Sequence, residues 1–192
     1  LNDEKDRKHD HIIFNLNNKK KLIYNDVRKF GFLKFDTYNK FNENLHLKTL
    51  GPEPLSKYFN YKYFKNYIKR KKRLIKDLLM DQKFIAGLGN IYVNEILFYS
   101  KIRPTRKVNK LTNIEIIKIL TNTKKILKKA ISFGGSSIKN FSSSSGKEGS
   151  YQQHFGVYAK KGKNCSNTDC NKKIKKIALS NRASFFCPKC QK

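Results

Sequence analysis

All four cysteines of this 192-residue chain fall in its last 28 residues, as Cys165-x4-Cys170 and Cys187-x2-Cys190, with 16 residues between the pairs. Two close thiol pairs flanking a short basic stretch is the spacing with which a chain builds a tetrahedral metal site, each pair on its own knuckle. The start, Leu1-Asn2-Asp3-Glu4-Lys5-Asp6, lacks the basic-then-apolar order of a secretory leader. No apolar run approaches the ~18–20 residues needed to span a bilayer. The expected setting is therefore cytoplasmic with no membrane partner, where thiols stay reduced and clustered cysteines hold metal rather than form disulfides. The expected cofactor is one structural Zn2+ on Cys165, Cys170, Cys187 and Cys190, since four protein ligands leave no open position for chemistry. Between the pairs lies Asn181-Arg182-Ala183-Ser184-Phe185-Phe186, so the function of the hairpin lies in what it presents, chiefly Arg182.

The formal charge of +29 points to a polyanionic partner, with nucleic acid ahead of membrane. Composition bias accounts for part of it, because 36 of the 43 cations are Lys and Asn and Ile are also abundant. In a chain that uses Lys by default, an Arg marks a place that needs a planar, bidentate donor, for a phosphate or a base edge among other uses. Hydrophobic residues make up 38%, enough to bury a real core and to exclude a disordered polycation.

Along the chain, His11–Leu16 and Lys21–Asn25 read as two strands around an Asn17–Lys20 turn, and Phe32–Phe35 resumes the β pattern. Three strands with no partner sheet make a poor free domain, so residues 1–50 read as the tail of a larger β domain. Gly51-Pro52-Glu53-Pro54 is a breaker. Helical patterns follow over Tyr58–Ile68, from Arg70 through Leu79, over Ile91–Tyr99 and over Asn113–Ile131, the last with Ile116, Ile117, Leu120, Leu127 and Ile131 as its core stripe and Gly134-Gly135 as its end. Phe141–Ser150 is Ser/Gly-rich, either a linker or a loop that orders around a ligand. The expected divisions are 1–50, a helical 55–150 and a metal-bearing 155–192, an α+β class.

Three further clusters can carry chemistry. Ala86-Gly87-Leu88-Gly89-Asn90 runs into a helix and would aim backbone N–H groups and a positive dipole end at one spot, a phosphate-binding geometry. Asn90 could equally be a plain N-cap, and Glu95 either a solvated face residue or a brace for the turn. Asp26-Val27-Arg28-Lys29-Phe30-Gly31 places an Arg and an aromatic two apart, which suits a wedge that enters a base stack. The residues alone favour an ordinary hairpin edge with Phe30 in the core. His9-Asp10-His11 lacks further ligands and reads as a surface or polar contact.

Together these segments resemble the formamidopyrimidine-DNA glycosylase family. The resemblance runs from Lys8-His9-Asp10-His11 through Asp26–Gly31, Leu50-Gly51-Pro52-Glu53-Pro54-Leu55, Leu79-Met80-Asp81-Gln82-Lys83, Gly87–Tyr92, Gly134-Gly135-Ser136-Ser137 and Asn181–Cys187 to Cys190-Gln191. It implies the tail of an N-terminal β-sandwich, a helix-two-turn-helix domain and a C-terminal zinc-finger hairpin. It implies a monomeric base-excision repair glycosylase and AP lyase, bacterial and nucleoid-associated, acting on double-stranded DNA with an oxidised purine or abasic site. In the family an N-terminal proline amine forms a Schiff base with the sugar, and β- then δ-elimination nicks the strand. By resemblance, Asn90 and Arg182 grip phosphates and Arg182 is the proton donor for δ-elimination. Arg28 and Phe30 fill the gap left by the flipped base. His9 and Lys71 contact DNA, Lys76 lies near the lesion, and Phe141–Tyr151 covers the loop that closes over it. The catalytic Pro, its adjacent Glu and the β-hairpin Lys have no counterpart in the chain, Lys29 stands where many relatives carry Arg, and the first cysteine knuckle is two residues longer. The expectation is a chain that begins within the N-terminal domain and binds damaged DNA without efficient excision. Charge and metal alone would fit a non-enzymatic zinc-ribbon module equally well.

Overall fold

Strand β1 (Asp10–Asn15) pairs antiparallel with β2 (Lys21–Asn25) in the computed structural model, which describes residues 8–35, 37, 43–137 and 149–192. The turn forms where Asn and Lys cluster: Lys19 adopts φ 60°, its N–H reaches the Leu16 carbonyl, and the Asn18 side chain accepts from Lys20 N. The expected third strand at 32–35 is absent, and among the described residues this sheet has two strands. A strand takes its backbone bonds from a neighbour and its stability from a buried face. Here Phe32 and Phe35 are 63% and 83% exposed, so there is no face to bury.

The chain divides into two compact units, Leu1–Asn44 and Leu45–Lys192, and the cysteine-bearing segment packs with the helices in the second. After a short α1 (Leu45–Lys48), α2 (Tyr61–Ile68) starts later than the sequence pattern suggests, because Asn60 caps it by accepting from Tyr63 N at 3.0 Å. Its inner face, Phe64 and Ile68, meets Phe84, whose ring lies 5.1 Å from Phe64 edge-on and 4.7 Å from Tyr67.

Helix α3 (Ile75–Leu79) does not open at Arg70 as expected. Four successive cations would crowd the positive end of the helix dipole. Instead Leu74 bridges to Lys107, Val108 N donates to the Arg73 carbonyl, and Arg73 forks onto Asp81 (2.7 Å) and the Asp77 carbonyl (2.8 Å).

Helix α4 (Asn90–Tyr99) is buried from Val93 through Phe98 and packs against α3, α5 and β4. A helix buried on every side over six successive residues sits at the centre of its unit. The long α5 (Asn113–Ser132) begins in a capping box between Thr112 and Glu115 and ends at Gly134, whose φ is 70°. Its core stripe is Ile116, Ile119, Thr123, Ile126 and Ala130, spaced three and four apart. Of the expected stripe, Ile116 is buried, Leu120 and Leu127 pack partly against the core, and Ile117 and Ile131 are 52% and 65% exposed. The stripe was misplaced because two of its members are not large apolar residues. Thr123 satisfies its hydroxyl on the Ile119 carbonyl at 2.7 Å, and Ala130 is small.

The chain closes with β3 (Lys175–Leu179) and β4 (Arg182–Phe186), joined by Ser180 and Asn181 at φ 47° and 58°, the two-residue turn whose twist suits a hairpin. The C-terminus is fastened to the end of α4: Gln191 is fully buried, accepts from Cys187 N and donates to the Ile102 carbonyl, both at 2.8 Å.

The corrected stripe on α5 makes a prediction. Ile119→Ala should lower the unfolding free energy by about 2–5 kcal/mol through cavity formation, whereas Ile117→Ala should change it by less than about 0.5 kcal/mol. Urea unfolding of the two variants checks this, and equal losses would mean the helix faces the other way.

Candidate nucleic-acid interface

The turn before α4 is built to leave backbone donors open. Gln82 spans it, accepting from Gly87 N at 2.7 Å and donating to the Leu88 carbonyl at 2.9 Å. Gly87 sits at φ +80°, and no atom lies within 4 Å of where a Cβ would stand on Gly87 or Gly89. Gly89, not Asn90, occupies the N-cap, and it supplies no side chain to the first amides of the helix. Uncapped N–H groups, a positive dipole end and unobstructed space above two glycines make a seat for an anion.

Asn90 is the first residue of the helix instead, and its Nδ2 donates to the Ala183 carbonyl on β4 at 3.1 Å. Lys76 on α3 reaches the same strand. It is 1% exposed, and its Nζ donates to the Ala183 carbonyl at 3.0 Å and to Ser184 Oγ at 2.5 Å. Burial pushes its pKa down to about 8; the nearby Arg182 guanidinium pushes the same way while Asp77 opposes. The hairpin tip is anchored by Ser180 Oγ donating to Asp77 Oδ1 at 2.8 Å. Arg182 follows the tip and is exposed, beside a cleft of about 210 Å3 lined also by Arg73, Lys76, Asp77, Met80, Asp81, Leu179 and Ser180. The structure thus brings Lys76, Asn90 and Arg182 onto one small area. Lys71 is not part of it and lies with its Nζ 4.2 Å from the centre of the Tyr67 ring.

The four cysteines converge as the spacing demands. Their sulfurs all lie within 4.8 Å of one another, with Cys165–Cys190 at 3.9 Å and Cys170–Cys187 at 3.5 Å. The longer first knuckle therefore closes onto the second, and the group can hold a metal ion. It shares a core with Phe98 of α4, Val157 and Phe185.

Sequence reasoning missed how Glu95 is used. It has no exposed surface and braces not the glycine turn but a distant loop: its carboxylate accepts from Gly156 N (2.6 Å), Val157 N (3.0 Å) and Tyr158 N (2.8 Å). Burial raises its pKa despite these three bonds, which pull it down. Gly156 lets the loop come this close, since a Cβ there would meet the Phe98 ring at 2.6 Å.

In the Leu1–Asn44 unit, Asp26 organises the Arg28/Phe30 turn. Its carboxylate accepts from Arg28 N (2.9 Å), Lys29 N (2.9 Å) and Gly31 N (2.7 Å), and the Gly31 bond leads in holding its pKa below the usual value. Phe30 is not in a core: it is 77% exposed, with the Arg28 guanidinium 4.7 Å from its ring centre. His9 is half-buried at the foot of the hairpin, where its carbonyl accepts from Asp26 N, and His11 Nε2 pairs with the Asp26 carbonyl, the polar contact expected of this pair. The loop expected to close over a ligand falls mostly at 138–148, outside the described residues.

The formamidopyrimidine-DNA glycosylase of Listeria monocytogenes serotype 4b (strain F2365) is 43% identical over 194 residues, covering 100% of this chain and 70% of that protein. The chain belongs to the formamidopyrimidine-DNA glycosylase family. The family description "Formamidopyrimidine-DNA glycosylase H2TH domain" matches residues 50–142, the stretch that carries α2 to α5. The complex between Lactococcus lactis Fpg and an abasic site containing DNA superposes with a TM-score of 0.91 at 38% identity, over 99% of this chain and 69% of that one. The MutM (Fpg) protein from Thermus thermophilus superposes with a TM-score of 0.89 at 31% identity, over 97% and 70%. The fold of this glycosylase-family chain is thus the α+β arrangement with a helix-two-turn-helix region and a C-terminal hairpin.

Glu95 and Arg182 should separate stability from recognition. Glu95→Ala leaves three buried amides without an acceptor and should cost about 3–5 kcal/mol in unfolding free energy. Arg182→Ala removes an exposed side chain and should cost less than about 0.5 kcal/mol. Chemical unfolding of each variant against the parent is the measurement.

Proposed function

We propose that this chain belongs to a base-excision repair enzyme that removes oxidised purines (formamidopyrimidine, 8-oxoguanine) from double-stranded DNA and nicks the abasic site by β,δ-elimination. One observation carries the reading: the open N-terminus of α4 and the Arg182 hairpin are tied directly together, through Asn90 Nδ2 and the Ala183 carbonyl at 3.1 Å. A backbone anion seat and a bidentate cation held on one support suit two phosphates of one strand. The similar structures of Lactococcus lactis Fpg in complex with formamidopyrimidine-containing or abasic-site DNA support damaged duplex as the partner.

In this reading Asn90 and Arg182 grip the backbone, and Arg182 hands a proton to the leaving phosphate in δ-elimination. Arg28 and Phe30 form the wedge that fills the place of the flipped base, Phe30 already standing exposed with its guanidinium partner beside it. His9 and Lys71 add backbone contacts. Lys76, with Nζ pointed at β4, supplies a buried positive charge next to the lesion. The Schiff-base step draws on a proline amine that these 192 residues do not contain, so they bind damaged DNA and do not excise efficiently. The protein works as a monomer on the chromosome, in the cytoplasm. The 1–50 segment belongs to the catalytic β-sandwich, 55–150 to DNA binding and 155–192 to the zinc finger. The metal is one Zn2+ per chain: bonds of about 2.3 Å in a tetrahedron put sulfurs about 3.8 Å apart, matching the 3.5 and 3.9 Å separations. With four thiolates the ion is structural and keeps the hairpin in place.

Binding assays with a duplex carrying a tetrahydrofuran abasic analogue test the reading. The expected results are tighter binding than to intact duplex, a log–log salt slope near −4 to −5 from ~5 phosphate contacts, and a slope smaller by about 1 in Arg182→Ala with metal still at one per chain. Equal affinity for both duplexes would instead favour a non-enzymatic zinc ribbon. Borohydride should trap no covalent adduct at the efficiency of an intact relative.

A further inference from the structure

Asn94 lies one turn into α4 and has no exposed surface. Its carboxamide is used on both sides. Oδ1 accepts from Phe185 N on β4 at 2.7 Å, and Nδ2 donates to the Asn90 carbonyl at 2.6 Å, with Asn90 Oδ1 at 3.3 Å. The amide has one workable orientation, since turning it over would set two donors face to face at Phe185. Asn90 Nδ2 completes a ring by donating to the Ala183 carbonyl. Two residues of α4, four apart, are thereby tied to two residues of β4, two apart.

Asn is a poor choice for burying a helix face against a strand, because it competes for backbone bonds and an apolar residue would fill the space without desolvating an amide. What a carboxamide adds is direction. It fixes where the backbone of residues 183–185 lies relative to the first turn of α4, and Arg182 is the next residue along. Lys76 holds the same strand as well, sharing the Ala183 carbonyl with Asn90 and reaching Ser184 Oγ.

We propose that Asn94 is a positioning residue for DNA recognition: it sets the spacing between the anion seat at the start of α4 and the guanidinium of Arg182, so that both meet one phosphate backbone in register. The proposal rests on Arg182 gripping a phosphate. Asn94 itself touches no DNA.

A double-mutant cycle on the abasic-analogue duplex tests it, with dissociation constants measured against salt for the parent, Asn94→Ala, Arg182→Ala and the double variant. Metal content and unfolding midpoints establish that each is folded at the assay temperature. Arg182→Ala should weaken binding about tenfold and reduce the salt slope by about 1. Asn94→Ala should do nearly the same, and the double variant should bind within about twofold of Arg182→Ala, since a residue acting through Arg182 has nothing left to act on. Asn94→Asp keeps the acceptor for Phe185 N and loses the donor to Asn90, so it should recover part of the affinity, and it carries the cycle if the alanine variant fails to fold. Additive losses, or an Asn94→Ala protein with parental affinity and slope, would overturn the positioning role while leaving Arg182 in place. Parental binding by Arg182→Ala would overturn the phosphate grip and the positioning role with it.

Discussion

Everything in the Leu45–Lys192 unit depends on a carboxylate buried at its centre. Removing Glu95 from water costs several kcal/mol, and three consecutive amides from Gly156 to Tyr158 offset that cost. These bonds bring the loop that leads into the cysteine segment onto the same helix that carries the glycine turn. Phe98, one turn later, then enters the core of the cysteine cluster. The helix is buried over Val93 to Phe98, and its first residue, Asn90, is bonded to the strand that carries Arg182.

The cations divide by what they touch rather than by type. Arg73 forks onto Asp81 and the Asp77 carbonyl, Arg103 donates to the Pro188 carbonyl against the Phe186 ring, and Arg106 bonds the Lys110 carbonyl and pairs with Glu115. These planar donors are needed as Arg, but for holding the chain to itself. A hollow of about 480 Å3 between Arg103, Arg106, Lys107, Lys110 and Lys192 is accordingly a by-product of that bracing. Arg28, Arg70 and Arg182 are exposed, and Arg73 is exposed as well despite its fork. Lys76 is the reverse case, a default residue that is buried and directed. Net charge points to a polyanion, and the environment of each cation shows which of them the chain uses to hold itself together.

Features carried by neighbours in sequence were legible. The cysteine spacing, the 10–25 hairpin, the glycine turn and the long α5 each follow from a local signal, and the motifs taken in order were enough to place the chain in its family. The errors have separate physical causes. The strand expected at 32–35 failed for want of a face to bury. The start of α3 moved because residues around Lys107 took the backbone bonds of the Arg73–Leu74 region. The residues of the Asp26–Gly31 turn by themselves favour Phe30 in a core, yet Asp26 holds the turn so that the ring stands in solvent.

Residue order alone thus settled most of the local elements, which residues could hold a metal and which family the chain resembles, because those signals act over a few positions. It could not settle what Glu95, Asn94 and Lys76 do. Their distant partners lie 61–63, 91 and 107–108 positions away, and apart from the Ser184 hydroxyl these are backbone groups that almost any residue type could provide. A buried polar side chain must find such partners or be rejected from the interior. Which carbonyl or amide it finds is decided only when the helices and the hairpin pack, and that packing set Asn94 and Lys76 on β4 and Glu95 on the 156–158 loop.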